Sequence, residues 1–215
     1  MLAGALLALG SLQVYIRMTN HAKPLQPQSS SITIPWLPVT VQRWKVPIQE
    51  MARKYNIDPD LLAIIMIMES GGYAEARSEA NAQGLMQVTP PTARDIAAKF
   101  LKQPGAAYDL YDPRTNIEFG AAYLSHLRDT FGATDHGPSW NTTVELVAAG
   151  YNGGPGAAGS LEKGQGLRGM QTLAYSRDVC NMWRERHADV SPTFERWAER
   201  GGSTLINKAE TEQGL

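Results

Sequence analysis

Apolar residues in this chain form one unbroken run and several spaced ones, and the two kinds predict different elements. The unbroken run is Leu61–Met68, eight consecutive hydrophobic residues that end at Glu69, Ser70, Gly71 and Gly72. Asp58 ahead of it suits a helix N-cap, and Pro59 suits the first helical position, where a missing N–H costs nothing. The two glycines suit the stop. A helix apolar on every face belongs in a protein interior. Elsewhere Ile48, Met51, Ala52 and Tyr55 fall at helical spacing. So do Ile117, Ala121, Leu124, Leu127 and Phe131 in a helix predicted over 116–131, and Tyr175, Val179, Met182 and Trp183 in one over 172–186. Thr89 is placed to cap a helix over 91–101. The capping-box pattern Thr142-Thr143-Val144-Glu145 opens a short helix through Ala149, followed by a glycine-rich loop, YNGGPGAAGS. Ser191-Pro192 starts a last helix carrying Phe194 and Trp197. Alternating strand patterns are not found, so the predicted core is mainly α, with at most a small β element in the loop over 73–88.

The ends differ from the middle. Residues 2–16, LAGALLALGSLQVYI, are too few for a membrane span of about 20 residues and about right for a signal-peptide core. Residues 1–18 are therefore expected to be an export signal or a membrane anchor. Residues 19–40 are rich in Pro, Ser and Gln and read as a linker, with Trp36 or Trp44 available to dock near its end. The domain is expected over 41–190, with a C-terminal helix and a flexible tail over 191–215.

Composition narrows the chemistry. The 215 residues are 43% hydrophobic and 19% charged with a net charge of −1, and no block of like charge points to nucleic acid. Cys180 is the only cysteine, so no intrachain disulfide is possible. His21, His126, His136 and His187 are scattered without paired spacing, and no metal site or cofactor is read from them.

Glu69 stands out as a carboxyl on the last turn of a buried helix. Desolvation and the negative end of the helix dipole both disfavour its charged form. Either it is held protonated near neutral pH, as a general acid must be, or it simply escapes to solvent where the helix ends.

Four motifs bear on that choice: MESGG (68–72), AQGLMQVTP (82–90), AAGYNGGPG (148–156) and MQTLAYSRDV (170–179). In this order they resemble the lytic transglycosylases of the soluble-lytic-transglycosylase type, relatives of goose-type lysozyme. The resemblance covers about 41–186 and implies a lysozyme-like, mainly α fold with a glycan-binding cleft. It implies Glu69 as the catalytic acid followed by the usual Ser70, and Gly84, Leu85, Met86 and Gln87 as part of the cleft. Tyr151 and Asn152 are expected to face substrate, and the Tyr175 hydroxyl to point at Glu69. Two positions depart from the family pattern: Gly150 replaces an Ala, and Gln171 replaces a Glu.

The resemblance implies cleavage of the β-1,4 bond between N-acetylmuramic acid and N-acetylglucosamine in peptidoglycan. The substrate's 2-acetamido group and 6-hydroxyl would act in place of water, giving 1,6-anhydro ends. The residues agree on one point. Most glycosidases need two carboxylates flanking the bond, yet from Glu69 to Pro90 the only further acids are Glu75 and Glu79. A muramidase cutting the same bond with water and a non-catalytic peptidoglycan-binding module are the alternatives. Expected partners are glycan strands, the membrane through residues 2–16, and envelope-assembly machinery, with export to the cell envelope.

Overall fold

The apolar run is the central helix. The computed structural model describes residues 26–131, 140–167 and 169–215, with side chains in the second stretch from 143. The leader expected over 1–18 and the first part of the expected linker lie outside the described residues. Helices among the described residues start with the short α1 (Val39–Gln42), then α2 (Lys45–Tyr55) and the central α3 (Pro59–Ser70). Asp58 caps α3, its Oδ1 accepting from Asp60 N at 3.0 Å, and Gly71 ends it with φ 62°. Leu61 to Ile67 have no accessible surface. A side chain lost from this helix leaves a cavity the surroundings cannot close, the situation in which a Leu→Ala change costs about 2–5 kcal/mol.

Among the described residues seven further helices follow: α4 (Pro90–Lys99), α5 (Pro113–Phe131), α6 (Trp140–Gly153), α7 (Pro155–Glu162), α8 (Met170–Glu185), α9 (Pro192–Trp197) and, after a π-helical turn over Ala198–Gly202, α10 (Ser203–Gln213). α3 packs on α2, α5 and α8, while α6 lies against α5, α7 and α8. The fold is helical as expected. Strand pairing among the described residues is confined to two single-residue antiparallel bridges, Arg77 with Gln83 and Gln83 with Val88.

Three expectations change. First, residues 26–40 are not a loose linker. Ile32, Ile34 and Leu37 are buried in the core, Thr33 donates from N and Oγ1 to the Asp60 carboxylate (2.7 and 2.6 Å), and Trp36 Nε1 donates to Glu185 O at 3.0 Å. Ile32, Ile34 and Trp36 alternate along an extended strap, a period-two pattern hidden by the surrounding Ser and Pro. Second, the tail is not free: α10 buries Ala209 and is tied to the end of α3. Third, α6 begins before the capping-box residues and continues through YNG, so Tyr151 and Asn152 sit on its last turn instead of a loop. Pro155 then starts α7, where the predicted loop would have continued.

Candidate active site

Glu69 opens onto a cleft of about 390 Å³, also lined by Ser78 and Gln87 of the loop before α4, Tyr123 of α5, Tyr151 and Asn152 of α6 and Gln171 of α8. Among the described lining residues Glu69 is the only carboxylate. Unlike Leu61 to Ile67, it keeps part of its surface accessible. Burial raises its carboxyl from 4.5 to about 7, against a smaller opposing pull from the Tyr175 hydrogen bond. Desolvation, one of the two causes read from the sequence, is therefore the largest. A shallower groove of about 530 Å³ lies beside Tyr73 and α10. Among the described residues lining it the one carboxylate, Glu212, is exposed and engaged by the Ala74 N–H at 3.3 Å.

Tyr175, on α8, is only 8% exposed, and its hydroxyl donates to Glu69 Oε1 at 2.5 Å. Burial first, then the nearby Glu69 charge, hold this phenol well above its ordinary value, so it stays a donor. The hydrogen bond occupies one carboxyl oxygen and leaves Oε2 to carry a transferable proton. Tyr151 reaches elsewhere: its hydroxyl donates to Met86 O at 2.8 Å, and its ring tilts against Tyr123 with centroids 5.5 Å apart. Asn152 Oδ1 accepts from Thr172 Oγ1 at 2.9 Å, which aligns the amide at the cleft wall.

Of the GLMQ segment, three residues sit behind the cleft wall and one on it. Gly84, Leu85 and Met86 are buried, Leu85 and Met86 completely, and Met86 fills the space over Gly120. Ser70 is buried too, its Oγ donating to Leu85 O at 2.7 Å and so fastening the end of α3 to the loop. These four residues hold the cleft together and offer it no side chain, because their polar and apolar partners all lie inside the domain. Gln87 does line the cleft, in a left-handed conformation with φ 47°. Its Nε2 donates back to Ala76 O (3.1 Å) and Gly84 O (3.0 Å), not to Glu69.

Asn116, at the start of α5, is the bracket of this loop and was missed by motif reading. Its Oδ1 accepts from Met86 N at 2.6 Å, and its Nδ2 donates to Gln83 O (2.8 Å) and Leu110 O (2.7 Å). A polar residue ahead of an apolar stripe carries no signal of such a role. Gly84, with φ +74°, lies so close to Asn116 that a Cβ would overlap its amide and Leu110 O. Asn116→Ala strands the buried Met86 N–H and Leu110 C=O, while Gln83 O keeps the Val88 N–H, and is expected to cost about 3 kcal/mol, read as a lower urea midpoint. Gly84→Ala is expected to cost at least as much, from backbone strain plus the overlap. Tyr123 and Gln171 also line the cleft, and Thr172 braces Asn152 there; Gln171 stands where the family has a Glu. Gly150, where the family has an Ala, lies inside α6, and a Cβ there would come within 2.8 Å of Leu127 Cδ2. Among the described residues no cluster of three or more His, Cys, Asp or Glu could hold a metal.

Residues 46–173 match the family described as the transglycosylase SLT domain. The chain belongs to this family. The SLT-domain match includes Glu69, the GLMQ loop and Tyr151, and ends two residues before Tyr175. Membrane-bound lytic murein transglycosylase C of Actinobacillus pleuropneumoniae serotype 5b is 44% identical over 113 residues, covering 51% of this chain and 30% of the relative. Membrane-bound lytic murein transglycosylase E of Buchnera aphidicola subsp. Acyrthosiphon pisum is 37% identical over 94 residues, covering 43% of this chain and 42% of the relative. The chain thus spans less than half the length of these curated relatives. The 70 kDa soluble lytic transglycosylase of Escherichia coli superposes with a TM-score of 0.51 at 22% identity, over 71% of this chain and 27% of that one. That likeness is one of fold.

Proposed function

We propose that this SLT-domain chain is a peptidoglycan lytic transglycosylase, cutting the bond between N-acetylmuramic acid and N-acetylglucosamine without water. The observation that carries the reading is a lone carboxyl, raised by burial to about 7, with one oxygen engaged by Tyr175 at 2.5 Å. A single acid of this kind suits a substrate that supplies its own nucleophile, since among the described residues no second carboxylate lines the cleft to act as one or to activate water. The names of the relatives support the same substrate and a place at the envelope membrane. Among the described residues no helix is long and apolar enough to cross a membrane, and attachment through residues 2–16 is part of the proposal.

The steps follow from the geometry. Glu69 Oε2–H protonates the glycosidic oxygen as the bond to the muramoyl C1 breaks, and the leaving sugar departs as an alcohol. The acetamido oxygen of the same muramoyl residue stabilises the positive charge left at C1. Glu69, now a carboxylate, takes the proton of the 6-hydroxyl as O6 bonds to C1, which restores the acid and gives the 1,6-anhydro ring. Tyr175 donates to Oε1 throughout and gains strength while Glu69 is charged. Asn152, held by Thr172, and Gln87 are the polar groups of the cleft available to the acetamido group. Digestion in ¹⁸O-water tests the reading: the new muramoyl ends carry no label if the 6-hydroxyl is the nucleophile. Label at those ends would make the chain a hydrolase.

A further inference from the structure

The backbone just after Glu69 is gripped from outside the family region. Gly71 O accepts from Thr40 Oγ1 at 2.7 Å, and Gly72 O accepts from both Trp44 Nε1 and Gln213 Nε2 at 3.0 Å. Gln213 Nε2 also donates to Thr40 O at 3.1 Å, so one amide ties α1, α10 and the end of α3 together. Glu212 accepts from Ala74 N. Thr40, Trp44, Glu212 and Gln213 all fall outside residues 46–173.

The glycines of the ESGG motif make room for this grip. A Cβ on Gly72 would stand 2.5 Å from Thr40 O, and one on Gly71 would stand 3.1 Å from Leu205 Cβ and Ile206 N of α10. The carbonyls at a helix C-terminus have no partner within the helix, and last turns fray unless something holds them. Here the carbonyls of the two residues beyond Ser70 are held by side chains from both ends of the chain. Glu69 lies on that last turn, and its 2.5 Å contact with Tyr175 leaves about half an ångström of tolerance.

We propose that α1 and α10 clamp the end of α3 to position Glu69, with Gln213 as the positioning residue that joins the two. The proposal rests on Glu69 being the acid, as argued above. Without the amide the last turn loosens, water reaches the carboxyl, and the acid is less well aimed at the bond to be broken.

The test uses the full chain with Gln213→Ala, and Lys208→Ala as an exposed control on the same helix. Turnover of purified peptidoglycan is followed against pH, with melting temperatures recorded beside it. Expected for Gln213→Ala is a fall in kcat of about tenfold with KM within about twofold, and an alkaline limb moved down by about half a unit as desolvation is relieved. Lys208→Ala stays at wild-type values. Thr40→Val, which removes one hydroxyl donor from a buried position, shifts kcat and the limb in the same direction and guards against a Gln213 variant that does not fold. A lower melting temperature with kcat, KM and limb unchanged in both variants overturns the clamp, leaving Gln213 a stabilising contact only. Wild-type turnover reads the proposed function separately: if wild type is inactive on peptidoglycan, the function fails. The clamp is then read from stability alone, since the pH-dependent difference between Glu69 and Glu69→Gln shrinks in a Gln213→Ala background if the turn loosens and persists if it does not.

Discussion

Glu69→Gln is expected to lose turnover by about 10²–10⁴-fold or more while making the protein more stable at alkaline pH. Gln keeps the shape and can still accept from the Tyr175 hydroxyl, but it has no proton to give. The stability gain follows from the raised carboxyl. In the unfolded chain Glu69 ionises near 4.5, and in the folded protein only near 7. Below about pH 4.5 both states hold the proton and Glu69 costs nothing. As pH rises to about 7 the unfolded chain gains by ionising while the folded one does not, and stability falls. Above pH 7 the deficit is constant, at most about 3 kcal/mol for a shift of this size. Melting curves at pH 5 and pH 8 read it: the variant should exceed wild type clearly at pH 8 and by much less at pH 5. Equal curves at both pH values would mean that Glu69 is not held protonated. Such an acid is an instance of stability given up at a functional site.

Tyr175→Phe has the second-largest expected effect, and it moves in an informative direction. The Tyr175 hydrogen bond lowers the Glu69 carboxyl against the larger effect of burial. Removing the hydroxyl therefore pushes the carboxyl above about 7, and the alkaline limb of the activity profile shifts upward. The rate at the optimum still falls, by about 10–100-fold, because Oε1 loses its fixed partner and the carboxylate formed in the first step loses a charge-assisted bond. A variant with a wild-type limb and rate would remove Tyr175 from the site. The opposite limb shifts expected for Tyr175→Phe and Gln213→Ala separate a lost hydrogen bond from a loosened, wetter turn.

The legible part of this protein is the part whose pattern and geometry coincide. An all-apolar run between Asp58-Pro59 and Gly71-Gly72 can only be a buried helix, and it delivers Glu69 to its last turn. Tyr175 was placed against Glu69 by motif, and the structure brings the two to 2.5 Å. Where motif residues were read as contacts with sugar, several are construction instead. Ser70, Leu85 and Met86 are buried, and a motif cannot distinguish a residue that touches substrate from one that holds the loop that does. Asn116 shows the converse, a residue essential to the loop that stands 30 positions from the Met86 it supports. The order of residues 26–40 and of the C-terminal tail is hidden from the sequence for a compositional reason. Ser and Pro around Ile32 and Ile34, and Gly201-Gly202 ahead of α10, look like linkers because the partners that order them are distant: Asp60 for the strap, and the carbonyls of Thr40 and Gly72 for Gln213. Such contacts leave no local periodicity to find.

The most direct measurement is the mass of the muropeptides released from purified peptidoglycan, wild type beside Glu69→Gln. The account predicts wild-type products one water lighter than hydrolysis products, ending in the 1,6-anhydro sugar, and none from a folded Glu69→Gln variant. Hydrated, reducible ends from wild type, or anhydro ends from the variant, would contradict it.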